Sequence, residues 1–409
     1  MKKILIGAIA LLGIQMAKAQ NERAITTGVP FLLIAADARS AGLADQGVAT
    51  SADAYSQQYN PAKYAFALSQ HGVSVSYTPY LTNIANDIAL AQLTYFNRFN
   101  ERSAFAGSLR YFGLGDIPLL ENPDDVPRIV SPSELALDLS YSLKLSEQFS
   151  MAVGGRFISS NLRIPDGTND ARAATTFAFD VAGFYQSEEI AYNDFNGRWR
   201  AGFNFQNLGP KINYNNDDFG DETNASFLPA NLRLGAGFDF IFDEYNKVGV
   251  SAEVTKLLVP TPPAFVTPVP VDSDGDGEIS DDEQDTAEDA AAAQYASDVE
   301  DWQQTSWVSG IFSSFGDAPD GFSEELKEFT YAVGAEYLYQ DSFALRLGYF
   351  NEHETKGARK FFSLGAGFKY TTIKVDVSYL FSASQVRNPL ENTLRFSLTF
   401  NFGDTYDEY

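Results

Sequence analysis

The stretch Asn392 to Phe402, NTLRFSLTFNF, separates completely when read in steps of two. Leu394, Phe396, Leu398, Phe400 and Phe402 fall on one face; Arg395, Ser397, Thr399 and Asn401 fall on the other. Successive side chains of a β-strand point to opposite sides, so this is a strand with one oily and one wet face. In a soluble sandwich the oily face would pack on a second sheet, and in a membrane barrel it would meet lipid. The strand alone does not choose between the two.

The rest of the chain does. The alternation recurs in fourteen segments between residues 71 and 402, most of them ten to fifteen residues long. Leu135, Leu137, Leu139, Tyr141, Leu143 and Leu145 oppose Glu134, Asp138, Ser140, Ser142 and Lys144, while Trp199, Ala201, Phe203 and Phe205 oppose Arg198, Arg200, Asn204 and Gln206. A tilted strand needs about nine to eleven residues to cross the hydrocarbon core, and soluble strands average about half the lengths seen here. Connections alternate as well. Those after even-numbered segments are mostly tight, such as Glu147-Gln148, Asp243 to Tyr245, Asp341 and Thr371. Those after odd-numbered segments are often long: Gly113 to Pro132, Asn161 to Ala173, Gly209 to Ala230, Val259 to Lys327 and Ser384 to Glu391. Short turns on one rim and long loops on the other mark outer-membrane barrels, with the turns periplasmic and the loops outside. The expected fold is all-β, a 14-stranded antiparallel transmembrane β-barrel over 71–402 in contact with outer-membrane lipid. Its last strand pairs with the first near Val73, which abolishes the sheet edges.

Residues 1–19 read as a secretory signal peptide: Lys2 and Lys3 precede the apolar run Ile4 to Ile14, and Ala17-Lys18-Ala19 supplies an A-x-A cleavage site. Loss of Lys2, Lys3 and Lys18 takes the formal net charge from −25 to −28. With no basic stripe to neutralise phosphates, nucleic acid is not an expected partner. The absence of cysteine excludes disulfides, thiolate zinc sites and cysteine nucleophiles. Residues 20–70 lack strand alternation and combine Phe31-Leu32-Leu33-Ile34, a small-residue run from Ala35 to Ala54, and Asn60-Pro61-Ala62. That mixture of short helix and turn suits an N-terminal plug inside the lumen. Beyond the last strand, 403–409 is expected to hang free as an acidic periplasmic tail.

The connection 259–327 is far longer than the roughly fifteen residues beyond which loops are usually functional or disordered. After the proline stretch Pro260 to Pro270 comes DSDGDGEISDDE, 272–283, which fits a twelve-residue calcium loop position by position. Asp272, Asp274 and Asp276 take positions 1, 3 and 5, Gly277 makes the turn, Glu278 offers its carbonyl, Ser280 sits at 9 and Glu283 at 12. Calcium is a hard ion that takes six to eight oxygens, so a structural Ca2+ is expected on Asp272, Asp274, Asp276, Glu278, Ser280 and Glu283. Prolines occupy the place of an entering helix, and only an exiting one, through Glu288, Ala290 to Ala293 and Tyr295, is compatible with the sequence. A competing reading is a solvated acidic loop, because Asp272 to Asp301 contains no Lys or Arg.

Catalytic groups are sparse. His71 and His353 are the two histidines, and no serine is nominated as a nucleophile, so no catalytic residue is assigned. The lumen-facing Arg198, Arg200, Arg233, Arg346 and Arg395 are expected to pair with Glu336, Asp376 and Asp239 across the barrel.

Pro30-Phe31-Leu32, Asp37-Ala38-Arg39 with Gly42, Gly47-Val48-Ala49-Thr50 and Asn60-Pro61-Ala62-Lys63 together resemble the PorV (LptO) family of the type IX secretion system. Asn-Pro-Ala ahead of the first strand is also similar to the wider FadL-like family of fourteen-stranded barrels. The resemblance implies a non-enzymatic carrier that binds secreted cargo through its C-terminal signal domain. Such a carrier receives cargo from the type IX translocon and delivers it to the surface attachment complex, where a sortase-like subunit acts. The alternative is a FadL-like outer-membrane channel for hydrophobic small molecules. On physical grounds Gly113 to Pro132, Gly209 to Ala230 and Ser384 to Glu391 are the candidate cargo contacts; the calcium motif is not part of the resemblance.

Overall fold

In the computed structural model, residues 24–406 are described except 83, 84, 86, 121–125, 163–172, 215–224, 274, 276, 320 and 385–387. The expected signal peptide lies outside the described residues. Fourteen long strands build the wall among those described: β1 (Ser69–Pro79), β2 (Ile88–Arg98), β3 (Ser103–Leu114), β4 (Ser133–Lys144), β5 (Phe149–Asn161), β6 (Ala174–Gln186), β7 (Asn196–Leu208), β8 (Asn231–Ile241), β9 (Asn246–Leu257), β10 (Phe329–Tyr339), β11 (Phe343–Asn351), β12 (Lys360–Tyr370), β13 (Ile373–Ser382) and β14 (Leu394–Thr405).

Each strand pairs antiparallel with its neighbours in sequence, and β14 returns to β1 with Val73 opposite Phe400. The sheet is therefore closed, and a closed sheet satisfies its backbone groups without an edge, as hydrocarbon requires. The two faces separate as alternation predicts: Phe396 is 50% exposed on the outer wall and its neighbour Arg395 is 1% exposed inside. No described helix is long and apolar enough to cross a membrane.

The inner face is less uniformly polar than alternation suggests. Leu90, Phe112 and Ile158 point inward near the outer rim and are buried. Their partners are Val29, Phe31 and Leu32 from the segment ahead of β1, with Phe31 and Phe112 stacked at 6.2 Å. Burying each such side chain contributes about 1.5–3 kcal/mol. That segment holds the short helices α1 (Ala38–Gly42) and α2 (Ser56–Tyr59) and a 3-10 turn, Pro61–Phe66.

The tail departs from expectation. β14 continues to Thr405, Tyr406 N donates to Leu68 O, and the Tyr406 ring lies 4.0 Å under the Arg98 guanidinium. Backbone pairing to β1 and a cation–π contact therefore hold the first part of the tail against the wall instead of leaving it free. Residues 407–409 lie outside the described residues.

The outer loops carry structure that alternation did not show. Small hairpins pair Ile117–Leu119 with Arg128–Val130 and Ile212–Asn213 with Ala225–Ser226. The long connection contains α3 (Asp281–Gln304), α4 (Trp307–Ser313) and α5 (Phe322–Glu325).

Candidate functional site

The lumen is the site. Asp37 caps α1 by accepting from Ser40 N at 2.9 Å, which orients Arg39 toward the wall. Arg39 then donates from Nε and Nη2 to both carboxylate oxygens of Glu336 on β10, at 3.1 and 2.8 Å, and from Nη1 to Asp53 at 2.7 Å. Glu336 also accepts from Arg346 Nε on β11 at 2.7 Å, and Arg346 Nη1 lies 2.8 Å from Asp376 on β13. One buried chain of alternating charge thus runs from the segment into three wall strands. A planar guanidinium suits this better than an ammonium, because its fork engages two carboxylate oxygens at once.

A second anchor is Glu253 on β9. It accepts from the backbone N–H groups of Gly47 and Val48 at 2.8 and 2.9 Å and from Arg233 at 2.8 Å. Asn60 Nδ2 donates to Val48 O at 2.9 Å and to Gly183 O on β6 at 3.0 Å, while its Oδ1 accepts from Ala62 N. Asn-Pro-Ala is therefore a tie to the wall as well as a turn. Lys63 is buried with its Nζ on Gly47 O at 2.8 Å and Thr50 Oγ1 at 3.0 Å.

Inward glycines of the wall make room for this backbone. A Cβ on Gly348 of β11 would sit 2.4 Å from Ala44 N, and one on Gly202 of β7 would sit 2.3 Å from Val48 O. The segment divides the interior. A cavity of about 260 Å³ on the periplasmic side is lined by Arg39, Asp53, Arg200, Lys374 and Asp376. One of about 500 Å³ under the outer loops is lined by Phe31, Ile34, Tyr80, Phe350, Lys356 and Arg359.

The lumenal arginines are paired, in part as expected. Arg346 meets Glu336 and Asp376, and Arg200 meets Asp239. Arg233 pairs with Glu253, Arg395 with Asp45 at 3.0 Å, and Arg198 lies 3.8 Å from Glu189. Glu253, Arg39 and Asp53 were not identified from the alternation. Arg39 stands in the Asp37-Ala38-Arg39 block, and a lone cation in a small-residue run was the available signal. Neither histidine joins the site: His71 stacks on Phe402 at 5.1 Å on the outer wall, and His353 caps its own turn through Thr355. Partial burial, helped by Lys327, lowers the His353 pKa.

At the outer rim the long connection is clamped by a buried cluster. Lys256 reaches Glu328 at 2.6 Å and Glu325 at 3.1 Å, and Lys356 reaches Glu324 at 2.8 Å and Glu328 at 2.9 Å. Asp317 accepts from Thr261 N at 3.1 Å, and burial, with Glu328 and Glu325 nearby, raises its pKa.

The structure places the calcium candidates only in part, since Asp274 and Asp276 lie outside the described residues. Asp272 accepts from the N–H groups of Gly275 and Gly277 at 2.6 and 2.8 Å, and Gly277 has φ +85°, the left-handed turn that position 6 demands. Ser280 and Glu283 form a capping box at the start of α3, and Glu283 also accepts from Ser273 N at 2.6 Å. These bonds, led by that from Ser280 N–H, hold the Glu283 pKa down at about 2. Among the described residues, no group of three acidic or histidine side chains converges as a metal site. Gly277 makes a left-handed turn and α3 follows it, while Glu283 is engaged with Ser273 and Ser280.

Comparison with known proteins adds a family. The model described as "Type IX secretion system protein PorV" matches residues 17–264, more than half the chain. No curated protein sequence matches. Among solved structures, a Pseudomonas aeruginosa FadL homologue is similar at 12% identity with TM-score 0.41, covering 93% of this chain and 100% of its own. The Ralstonia pickettii toluene transporter TbuX is similar at 12% identity with TM-score 0.46, covering 91% and 100%. The CymD monoaromatic hydrocarbon channel is similar at 12% identity with TM-score 0.46, covering 92% and 99%.

Proposed function

Because the chain belongs to the PorV family of type IX secretion system proteins and forms an outer-membrane barrel, we propose that it handles secreted proteins at its outer face instead of passing solutes through its lumen. The observation that carries this reading is the filled lumen, in which residues 24–67 are tied to strands around the wall by Arg39, Glu253 and Asn60. On this reading the barrel binds the C-terminal signal domain of cargo, receives it from the type IX translocon and passes it to the sortase-like attachment complex. The outer loops 113–132, 209–230 and 384–391 supply the contact surface.

The second reading, a channel for hydrophobic small molecules, draws support from the partly apolar outer cavity of about 500 Å³. Deleting the gene separates the two. Periplasmic retention of proteins carrying the C-terminal signal supports the carrier; normal secretion with lost uptake of hydrophobic substrates supports the channel and refutes the carrier.

We also propose that the 272–283 loop takes calcium through Asp272, Asp274, Asp276, Glu278, Ser280 and Glu283, ordering the base of α3. A single site with one flanking helix should be weak, roughly 10⁻⁴–10⁻³ M. Calorimetry on the whole protein in detergent should give a calcium heat that Asp272→Asn abolishes, and no such heat at millimolar calcium refutes the site.

A further inference from the structure

The strongest unassigned feature is α4 at the outer rim. At 100° per residue, Trp307, Val308, Ile311, Phe312 and Phe315, just past the helix end, share one arc of about 140°. Gly310 and Ser314 flank the arc on its Trp307 side, about 60° and 20° from that residue. A helix on a water-soluble surface turns its apolar arc inward. Here the small residues are the buried ones: Gly310 is packed so closely that an added Cβ would lie 2.9 Å from Pro260 Cδ and 3.2 Å from the Phe227 ring. Three of the large apolar residues point away from the protein, with Phe312 75%, Phe315 51% and Val308 45% exposed, while Trp307 and Ile311 are half-buried. Relative to water, α4 is inside out.

What lies beside it accounts for this. The Trp307 ring meets Phe179 edge-on at 6.1 Å. Phe179 and Phe177 project from the outward face of β6, the face that meets lipid along the whole wall. The apolar arc of α4 is therefore continuous with the lipid-facing band of the barrel. A tryptophan is the side chain favoured at a boundary between hydrocarbon and water. α3 differs in kind, because its 24 residues include none that is buried and its first turn carries Asp281, Asp282 and Glu283.

We propose that the partner of α4 is the outer leaflet itself. The helix lies in the membrane interface beside β6, with Val308, Phe312 and Phe315 among the lipid, and fixes the long connection against the bilayer so that α3 is presented at a set position above it.

The cysteine-free chain permits a direct test. Phe312→Cys, Ser313→Cys on the polar side, and Phe362→Cys on the lipid-facing wall are each labelled with a nitrobenzoxadiazole fluorophore. The labelled proteins are placed in phosphatidylcholine vesicles with and without lipid carrying a doxyl group near the glycerol end of its chain. The expected result is blue-shifted emission at 312, several-fold stronger quenching by doxyl lipid than at 313, and protection from aqueous iodide approaching that at 362. A label at 312 as open to iodide as that at 313 overturns the proposal. So does a label shielded from iodide yet unquenched by doxyl lipid, since the arc would then be covered by protein.

Discussion

Arg39→Met removes one charge from the buried chain that seats the segment while keeping a side chain of similar reach. The guanidinium donates to Glu336, Asp53, Ser51 Oγ and Ser51 O, the last at 3.1 Å. Deleting one member of a buried ion pair costs about 3–5 kcal/mol because the other charge is left without compensation. The lower end applies here: Glu336 keeps Arg346, and Asp53 keeps bonds from Tyr55 N and Ser56 Oγ, each at 3.0 Å. A loss of about 3 kcal/mol raises the unseated fraction by roughly 10². A Ser40→Cys reporter reads that fraction, since Ser40 is buried in α1 and the chain has no other thiol. When opening and closing are fast relative to modification, the maleimide labelling rate tracks the opened population. The expectation is labelling roughly 10² faster in Arg39→Met, with unchanged heat-resistant mobility of the barrel on gels. Arg39→Lys should recover part of the loss, because an ammonium cannot hold both Glu336 oxygens and Asp53 together. Labelling within about threefold of the parent rate would refute the argument that this charge chain holds the seat.

Other perturbations test the remaining contacts. Gly348→Ala forces a Cβ to 2.4 Å from Ala44 N and 2.6 Å from Leu43 C, so an overpacking cost of about 1–3 kcal/mol should appear as faster labelling of the same reporter. Gly155→Ala, with nothing within 4 Å of its added Cβ, should leave the rate unchanged. Lys356→Met leaves Glu324 and Glu328 short of one buried cation, and loosening of the clamp by about 3–5 kcal/mol should speed tryptic cleavage after Lys327. Glu283 has a folded pKa of about 2 against an ordinary 4.5, so its capping contribution is present above pH 4.5 and fades as pH falls from 4.5 toward 2. Amide exchange over the first turn of α3, corrected for intrinsic rates, should rise in that window in the parent and show no such added step in Glu283→Gln.

The wall was legible because its information is local. Alternation in steps of two assigns the faces of β4 or β14 without knowledge of any other strand, and loop lengths order the rims. The lumenal segment carries no such signal. α1 spans five residues and α2 four, too short for a helical period to register. Its stability comes from partners hundreds of positions away, as where Ala38 N donates to Ser397 Oγ at 2.8 Å. Pairing of the arginines was predictable in kind and only partly in identity, since Asp45 and Glu189 reach them from outside the barrel strands. The tail departs from its composition for a related reason: acidic residues suggest solvent, whereas Tyr406 is held by Arg98 on a strand far earlier in the chain.

The seam between β1 and β14 joins Ser69 to Thr405, the two ends of the wall. Loop-closure entropy makes such a contact among the slowest to form. The segment ahead of β1 is bonded to β6, β9, β10 and β14, so although it is synthesised first it has no complete seat until the ring zips shut. The last of those contacts, from Ala38 to β14, forms only when the strand that seals the seam is in place, so completing the wall and completing the seat of its contents are coupled.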